Sequence, residues 1–160
     1  MTTRVLCLGN SLLADDALGP EVANRLRERP LGDTEIVESA ETGFYLLDHV
    51  LGCARLLVVD TIRTGTMPPG TILRLQEQDI QATPGSSPHY VGLFETLSVA
   101  RQLGLPAPAE VLILAVEAED LTSIGHPMTP AVERAASEVL QQIEAELQSG
   151  KTTVTGVGPL

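Results

Sequence analysis

The chain has 160 residues, 43% of them hydrophobic, which suits one domain with a sizeable core and leaves no room for a second. Its formal net charge is −11, with no basic cluster, so the surface would repel a nucleic-acid backbone and no nucleic-acid partner is expected. Aromatic residues make up only 2% and Trp is absent, so the core must be built from Leu, Val, Ile and Ala.

Residues 4–8 form a short apolar run closed by Gly9-Asn10, the pattern of a buried strand. Leu18, Val22, Ala23 and Leu26 follow at helical spacing. Pro20 suits that helix's first turn, and Asp15 and Asp16 stand at its positive end. Residues 35–39 read as a second strand, and 43–51 as a short helix stopped by Gly52. A third buried strand, Leu56-Leu57-Val58-Val59, ends directly in Asp60. After a loop rich in Pro and Gly, residues 71–75 return as a fourth strand. It is expected to lie antiparallel to the third, because no helix intervenes. Residues 81–88 read as a polar loop opening into a helix with Leu93, Leu97 and Ala100 on one face. Residues 111–116 are uniformly apolar, hence a strand buried on both sides. Thr129-Pro130 starts the last helix, whose stripe is Val132, Ala136, Val139, Leu140, Ile143 and Leu147 and whose end is expected at Gly150.

This alternation predicts an α/β fold with a single domain over residues 1–150 and a polar, frayed tail over 151–160. Three layers are expected: a mostly parallel five-stranded sheet, one strand antiparallel, with helices on both faces. The N-terminal apolar run is too short for a signal peptide and no stretch approaches membrane-spanning length, so a cytoplasmic protein with no membrane partner is expected. Cys7 and Cys53 are far apart and form no CxxC pair, which excludes a disulfide scaffold or zinc ribbon. Cys7 reads as a small buried hydrophobe, and nothing near Cys53 would activate a thiolate.

In an open α/β sheet, ligands sit beyond the carboxyl ends of the strands, where strand order reverses. With strands ordered 2-1-3, that crevice lies between the loops carrying Asp15, Asp16 and Asp60. A carboxylate straight after Val58-Val59 is desolvated on one side and needs a cation, a cluster of donors or a proton; capping a turn is the other reading. Of the adjacent acids, Asp15 is assigned as the helix cap and Asp16 as the site residue, although the two roles could be exchanged. His89 begins the fourth helix, where the helix dipole favours neutral, metal-binding imidazole. A loop histidine taken alone is more often a surface residue. His49, expected to face solvent, and His126, in a Gly-His-Pro loop, carry no functional signal. Asp16, Asp60 and His89 make an O, O, N donor set that suits nickel, zinc, manganese or iron. No HExxH helix, GxSxG elbow or glycine-rich phosphate cradle is present.

The run Leu8-Gly9-Asn10-Ser11-Leu12-Leu13-Ala14-Asp15-Asp16-Ala17-Leu18-Gly19-Pro20 resembles the N-terminal signature of the [NiFe]-hydrogenase maturation endopeptidases. The resemblance continues through Leu56-Leu57-Val58-Val59-Asp60, Pro69-Gly70-Thr71, Ser87-Pro88-His89-Tyr90-Val91-Gly92-Leu93 and Met128-Thr129-Pro130-Ala131-Val132. It spans nearly the whole chain except the tail. It implies that Asp16, Asp60 and His89 bind the metal, with Asp16 and Asp60 also catalytic. Where that family often has Asp-Gly-Gly-Thr/Ser after the second strand, this chain has Glu38-Ser39-Ala40-Glu41. The acid is kept at Glu38, which implies an accessory role weighed below a capping or solvated one, and the glycine pair is lost.

The resemblance further implies a metal-dependent, aspartate-type endopeptidase that clips a C-terminal extension from a nickel-loaded hydrogenase large-subunit precursor. The nickel would be that of the precursor, with zinc or another divalent ion as the alternative. Two other readings stand beside it. One is a non-catalytic nickel-binding chaperone. The other is a peptidyl-tRNA hydrolase-like enzyme, against which the acidic surface argues.

Overall fold

The computed structural model describes residues 2–77, 79 and 88–152, with side chains over 2–77, at 79 and over 93–150. Strands β1 (Thr3–Leu8), β2 (Glu35–Ser39), β3 (Arg55–Ile62), β4 (Ile72–Gln76) and β5 (Glu110–Glu117) form one sheet in the order 2-1-3-5-4. Helices α1 (Leu18–Arg27), α2 (Leu47–Val50), α3 (Pro88–Gln102) and α4 (Pro130–Thr152) connect and cover it. No described helix is long and apolar enough to cross a membrane.

Strict alternation along the strands divides the core in two. Val5, Cys7, Leu57, Val59, Leu112, Leu114 and Val116 pack under α1 and α4. Leu6, Leu8, Leu56, Val58, Ile113 and Ala115 pack on the other face against Leu46 and Val50 and against Leu93 and Leu97 of α3. Both faces are dry, so the central strands are apolar throughout, as parallel sheets require.

Strand β4 is antiparallel as expected, but its neighbour is β5, not β3. Strand β5 fills the slot beside β3, parallel from Arg55↔Glu110 to Ile62↔Glu117. Burial explains the choice. Strand β5 is buried from Val111 to Glu117 and belongs in the interior, whereas β4 exposes Arg74 and Gln76 and belongs at an edge. Strand β3 also runs past Asp60 to Ile62, so Asp60 lies within the strand.

Helix α4 continues through Gly150 instead of stopping there. A Cβ at Gly150 would lie 3.1 Å from Nη1 of Arg55, whose guanidinium donates to the carbonyl of Glu146 at 2.7 Å. The glycine makes room for that arginine and breaks nothing. Residues 153–160, which include most of the expected tail, lie outside the described residues, as do 81–87 of the loop expected at 81–88, whose last residue, Pro88, is instead the first of α3.

The segment from β1 to α1 folds back tightly over the end of β1. A Cβ on Gly19 would lie 2.1 Å from the carbonyl oxygen of Leu8, and one on Gly9 equally close to that of Asp16. Ala14, buried, holds a left-handed φ of 37°, a conformation costing a residue with a Cβ about 1–2 kcal/mol. Neighbouring contacts hold it there: the Leu13↔Ile124 bridge, the Asp15 N–H to the Asp120 carbonyl at 2.9 Å, and the Gly125 N–H to the Leu12 carbonyl at 2.8 Å.

Asp15 is fully buried and does not cap its own helix; α1 starts behind Ala17 with no side-chain cap. Its Oδ2 accepts from the N–H groups of Glu119 and Asp120 at 2.9 and 2.8 Å. Its Oδ1 accepts from the N–H and hydroxyl of Thr129 at 2.7 and 2.9 Å. Thr129 in turn accepts the first helical bond of α4, from Glu133 N–H at 3.0 Å. The carboxylate therefore ties the β1–α1 turn to the β5–α4 loop at the positive end of α4.

Three outcomes are expected. Gly19→Ala lowers stability by about 2–3 kcal/mol through overpacking against backbone that cannot yield; a denaturant midpoint equal to wild type would contradict the close approach. Asp15→Asn costs about 2 kcal/mol or more, since its amide nitrogen must face a backbone donor, and calorimetric melting would detect it. The third concerns Asp120, where hydrogen bonds from Ser123 and the Thr122 N–H lower the carboxyl from 3.8 to about 2. Its folded value lies below its unfolded one, so its contribution is full above the ordinary value and fades as pH falls toward about 2. Asp120→Asn is therefore expected to flatten the acid limb of the unfolding midpoint plotted against pH.

Candidate active site at the carboxyl end of the sheet

Strand order reverses between β1 and β3: the chain leaves β1 toward β2 on one side and builds β3, β5 and β4 on the other. Pairing of β1 with β3 ends at Cys7↔Val59, while β3 goes on with β5 to Ile62↔Glu117. Asp60 thus stands level with Leu8, the last residue of β1, Thr61 and Ile62 project past it, and the 3-10 turn Ala14–Ala17 that carries Asp16 settles against this end of β3.

The two acids are linked through Thr61. Asp60 is buried, and its Oδ1 accepts from the Thr61 N–H at 2.8 Å. The Thr61 hydroxyl, also buried, donates to Oδ1 of Asp16 at 3.1 Å. The other oxygen of Asp16 accepts from the Asn10 N–H at 3.0 Å. Asp16 is half-buried, so one acid of the pair reaches toward solvent while the other is enclosed. By alternation from Val58 and Val59, Asp60 belongs to the α3 side of the sheet and Thr61 to the α1 side.

Position 89 is the second residue of α3, four residues before Leu93, which is buried on the α3 side. The imidazole of His89 lies outside the described residues. Among the described residues no group of three or more His, Cys, Asp or Glu is arranged to hold an ion. The donor chemistry that is described, two carboxylates joined by one residue at the crevice, fits a hard or borderline divalent ion and not a thiolate-bound one.

Glu38 is exposed and pairs with Arg27 of α1 at 3.1 Å. In register with Cys7, it stands on the α1 side, opposite Asp60. Ser39, where a glycine pair was missing, is buried and useful in its own way: its hydroxyl accepts from the Glu41 N–H at 3.0 Å and its carbonyl from the Gly9 N–H at 3.0 Å. His49, expected in solvent, is half-buried and sits 3.3 Å from Glu41. His126 is exposed. Burial pushes the Cys7 thiol up to about 12, and burial also raises Cys53 against the pull of Arg4. Neither is poised as a nucleophile.

Sequence reasoning passed over two residues. Thr61 carried one available signal: a hydroxyl among Val and Leu on a buried face, next to a site acid. Glu117, buried at the end of β5, accepts from the Thr64 N–H at 2.9 Å and from its hydroxyl, fixing the loop after β3. Nothing in the pattern of residues 111–116 announces that contact.

A family model described as hydrogenase maturation protease matches residues 20–146. The chain is 32% identical over 153 residues to the hydrogenase 2 maturation protease of Escherichia coli K12, covering 92% of each. It is 29% identical over 147 residues to the hydrogenase 3 maturation protease of the same organism, covering 90% of each. Its structure overlays on the hydrogenase maturating endopeptidase HybD from E. coli with a TM-score of 0.81 at 31% identity, over 94% of both chains. A strand-order crevice, a buried acid on β3 and a second acid in the turn after β1 occur here in a chain that belongs to the hydrogenase maturation proteases, and so to the peptide-bond hydrolases.

Proposed function

We propose that this chain is the cytoplasmic endopeptidase that removes a short C-terminal extension from a nickel-loaded [NiFe]-hydrogenase large-subunit precursor. Asp16, Asp60 and His89 would form the metal-contacting set. The observation that carries the reading is the coupling of Asp16 and Asp60 through Thr61 at the strand-order crevice, in a chain of this family. The position of residue 89 supports the third member. It stands in the first turn of α3, on the helix that covers the Asp60 side of the sheet.

The ion belongs to the substrate: the precursor presents its nickel, and the three side chains offer only part of a coordination sphere. Zinc or another divalent ion suits the same donors. An ion held there supplies Lewis acidity toward the scissile carbonyl or toward a water beside it. Everything else falls to the protein. Asp60, enclosed and tied to the Thr61 N–H, suits the role of a fixed ligand. Asp16, half-buried, suits the base: it takes a proton from water as the water oxygen adds to the carbonyl carbon. It returns that proton to the departing nitrogen as the C–N bond breaks. A precursor without metal leaves the set incomplete, which makes loading a condition for cleavage.

The deciding experiment incubates the protein with nickel-loaded and nickel-free precursor and compares C-terminal masses. Wild type is expected to shorten only the loaded form. Asp16→Asn, Asp60→Asn and His89→Ala are each expected to slow that cut by about 100-fold or more while melting as wild type does. An unchanged precursor mass with nickel bound would make the protein a metal holder and no protease. Cleavage at the wild-type rate in the variants would remove the three residues from the mechanism.

A further inference from the structure

We infer that Thr61 is a positioning residue that sets the spacing of the two acids, acting on Asp60 through its backbone and on Asp16 through its hydroxyl. The inference rests on the function proposed above and adds to it a residue that touches neither metal nor substrate.

Thr61 stands in β3 on the face that also carries Leu57 and Val59, beside Val116 of β5. Its environment on that face is apolar, and valine has nearly the same shape. Fold alone therefore gives no reason for a hydroxyl there, and a buried hydroxyl is costly unless it is bonded. Its partner is Asp16 Oδ1, 3.1 Å away on a different element. The same residue gives its N–H to Asp60 Oδ1 at 2.8 Å. Side chain and main chain leave a strand residue in different directions, so one residue can hold two carboxylates that approach from opposite faces. Asp16 is gripped at both oxygens, by Asn10 from its own turn and by Thr61 from the sheet. The hydroxyl thereby fixes which way the Asp16 carboxylate faces, and outer partners of this kind commonly tune ligand geometry and affinity.

The test compares Thr61→Val, which keeps the shape, with Thr61→Ser, which keeps the hydroxyl. Readouts are melting temperature, affinity for Ni2+ alone by titration calorimetry, and kcat and KM on loaded precursor. The valine variant is expected to melt close to wild type, yet bind Ni2+ about 10-fold or more weakly and lose a similar factor in kcat. The serine variant is expected to recover both to within about threefold. Valine behaviour equal to wild type overturns the inference, and so does an equal loss in both variants, which would assign the effect to packing. If the valine protein does not fold, Thr61→Ala against Thr61→Ser makes the same comparison. A wild-type protein that neither holds Ni2+ nor shortens the precursor sinks the proposed function itself, and the role of Thr61 with it.

Discussion

Two contacts made by missing atoms govern how this molecule presents its acids. Because Gly19 has no Cβ, the first turn of α1 can lie against the carbonyl of Leu8; because Gly9 has none, the chain can pass beneath the carbonyl of Asp16. A side chain at either place would force the turn away from the sheet by about an ångström. Asp16 would then lose its reach to Thr61, a hydrogen bond of 3.1 Å with little slack. The glycines in this turn serve backbone approach, and their sparseness is no defect, since no phosphate has to be wrapped.

Close approach alone would leave the turn loose, and Asp15 supplies the anchor. A buried carboxylate is expensive unless its lone pairs are filled. Here they are filled by three backbone N–H groups and a hydroxyl, drawn from a loop more than a hundred residues distant. That network also offsets the left-handed geometry forced on Ala14. Strain beside an acid and a rigid clamp next to it amount to pre-organisation: the turn's shape is set by the protein before anything binds.

Much of this was legible in the residues. Buried strands announce themselves as apolar runs, and the alternation of strand and helix fixes a parallel-rich sheet, so the crevice follows from topology. Asp60 stands out in the sequence because an acid after Val58-Val59 has to be accounted for. Other features lay beyond local pattern. That β5 would displace β4 from the side of β3 depends on which strand needs two dry faces, a comparison between strands and not a property of either. Adjacent acids look alike in sequence; only the long-range donors at Glu119, Asp120 and Thr129 distinguish Asp15, the anchor, from Asp16. Gly150 looked like a stop, because a glycine that accommodates Arg55 and a glycine that ends a helix are the same letter.

The division of faces bears on how selectivity can arise. Consecutive strand residues point to opposite sides, so Asp60 and the hydroxyl of Thr61 address different layers of the molecule, and Asp16 meets the pair only at the open end where β1 has stopped. The two acids, one on a strand and one in a turn, are linked through Thr61 at that one end. A peptide that carries a metal with its own ligands can complete such a pair. On the function proposed here, the precursor's metal does so, and discrimination between loaded and unloaded substrate needs no separate sensor. On that proposal it follows from a coordination sphere that the protease's own side chains leave unfinished.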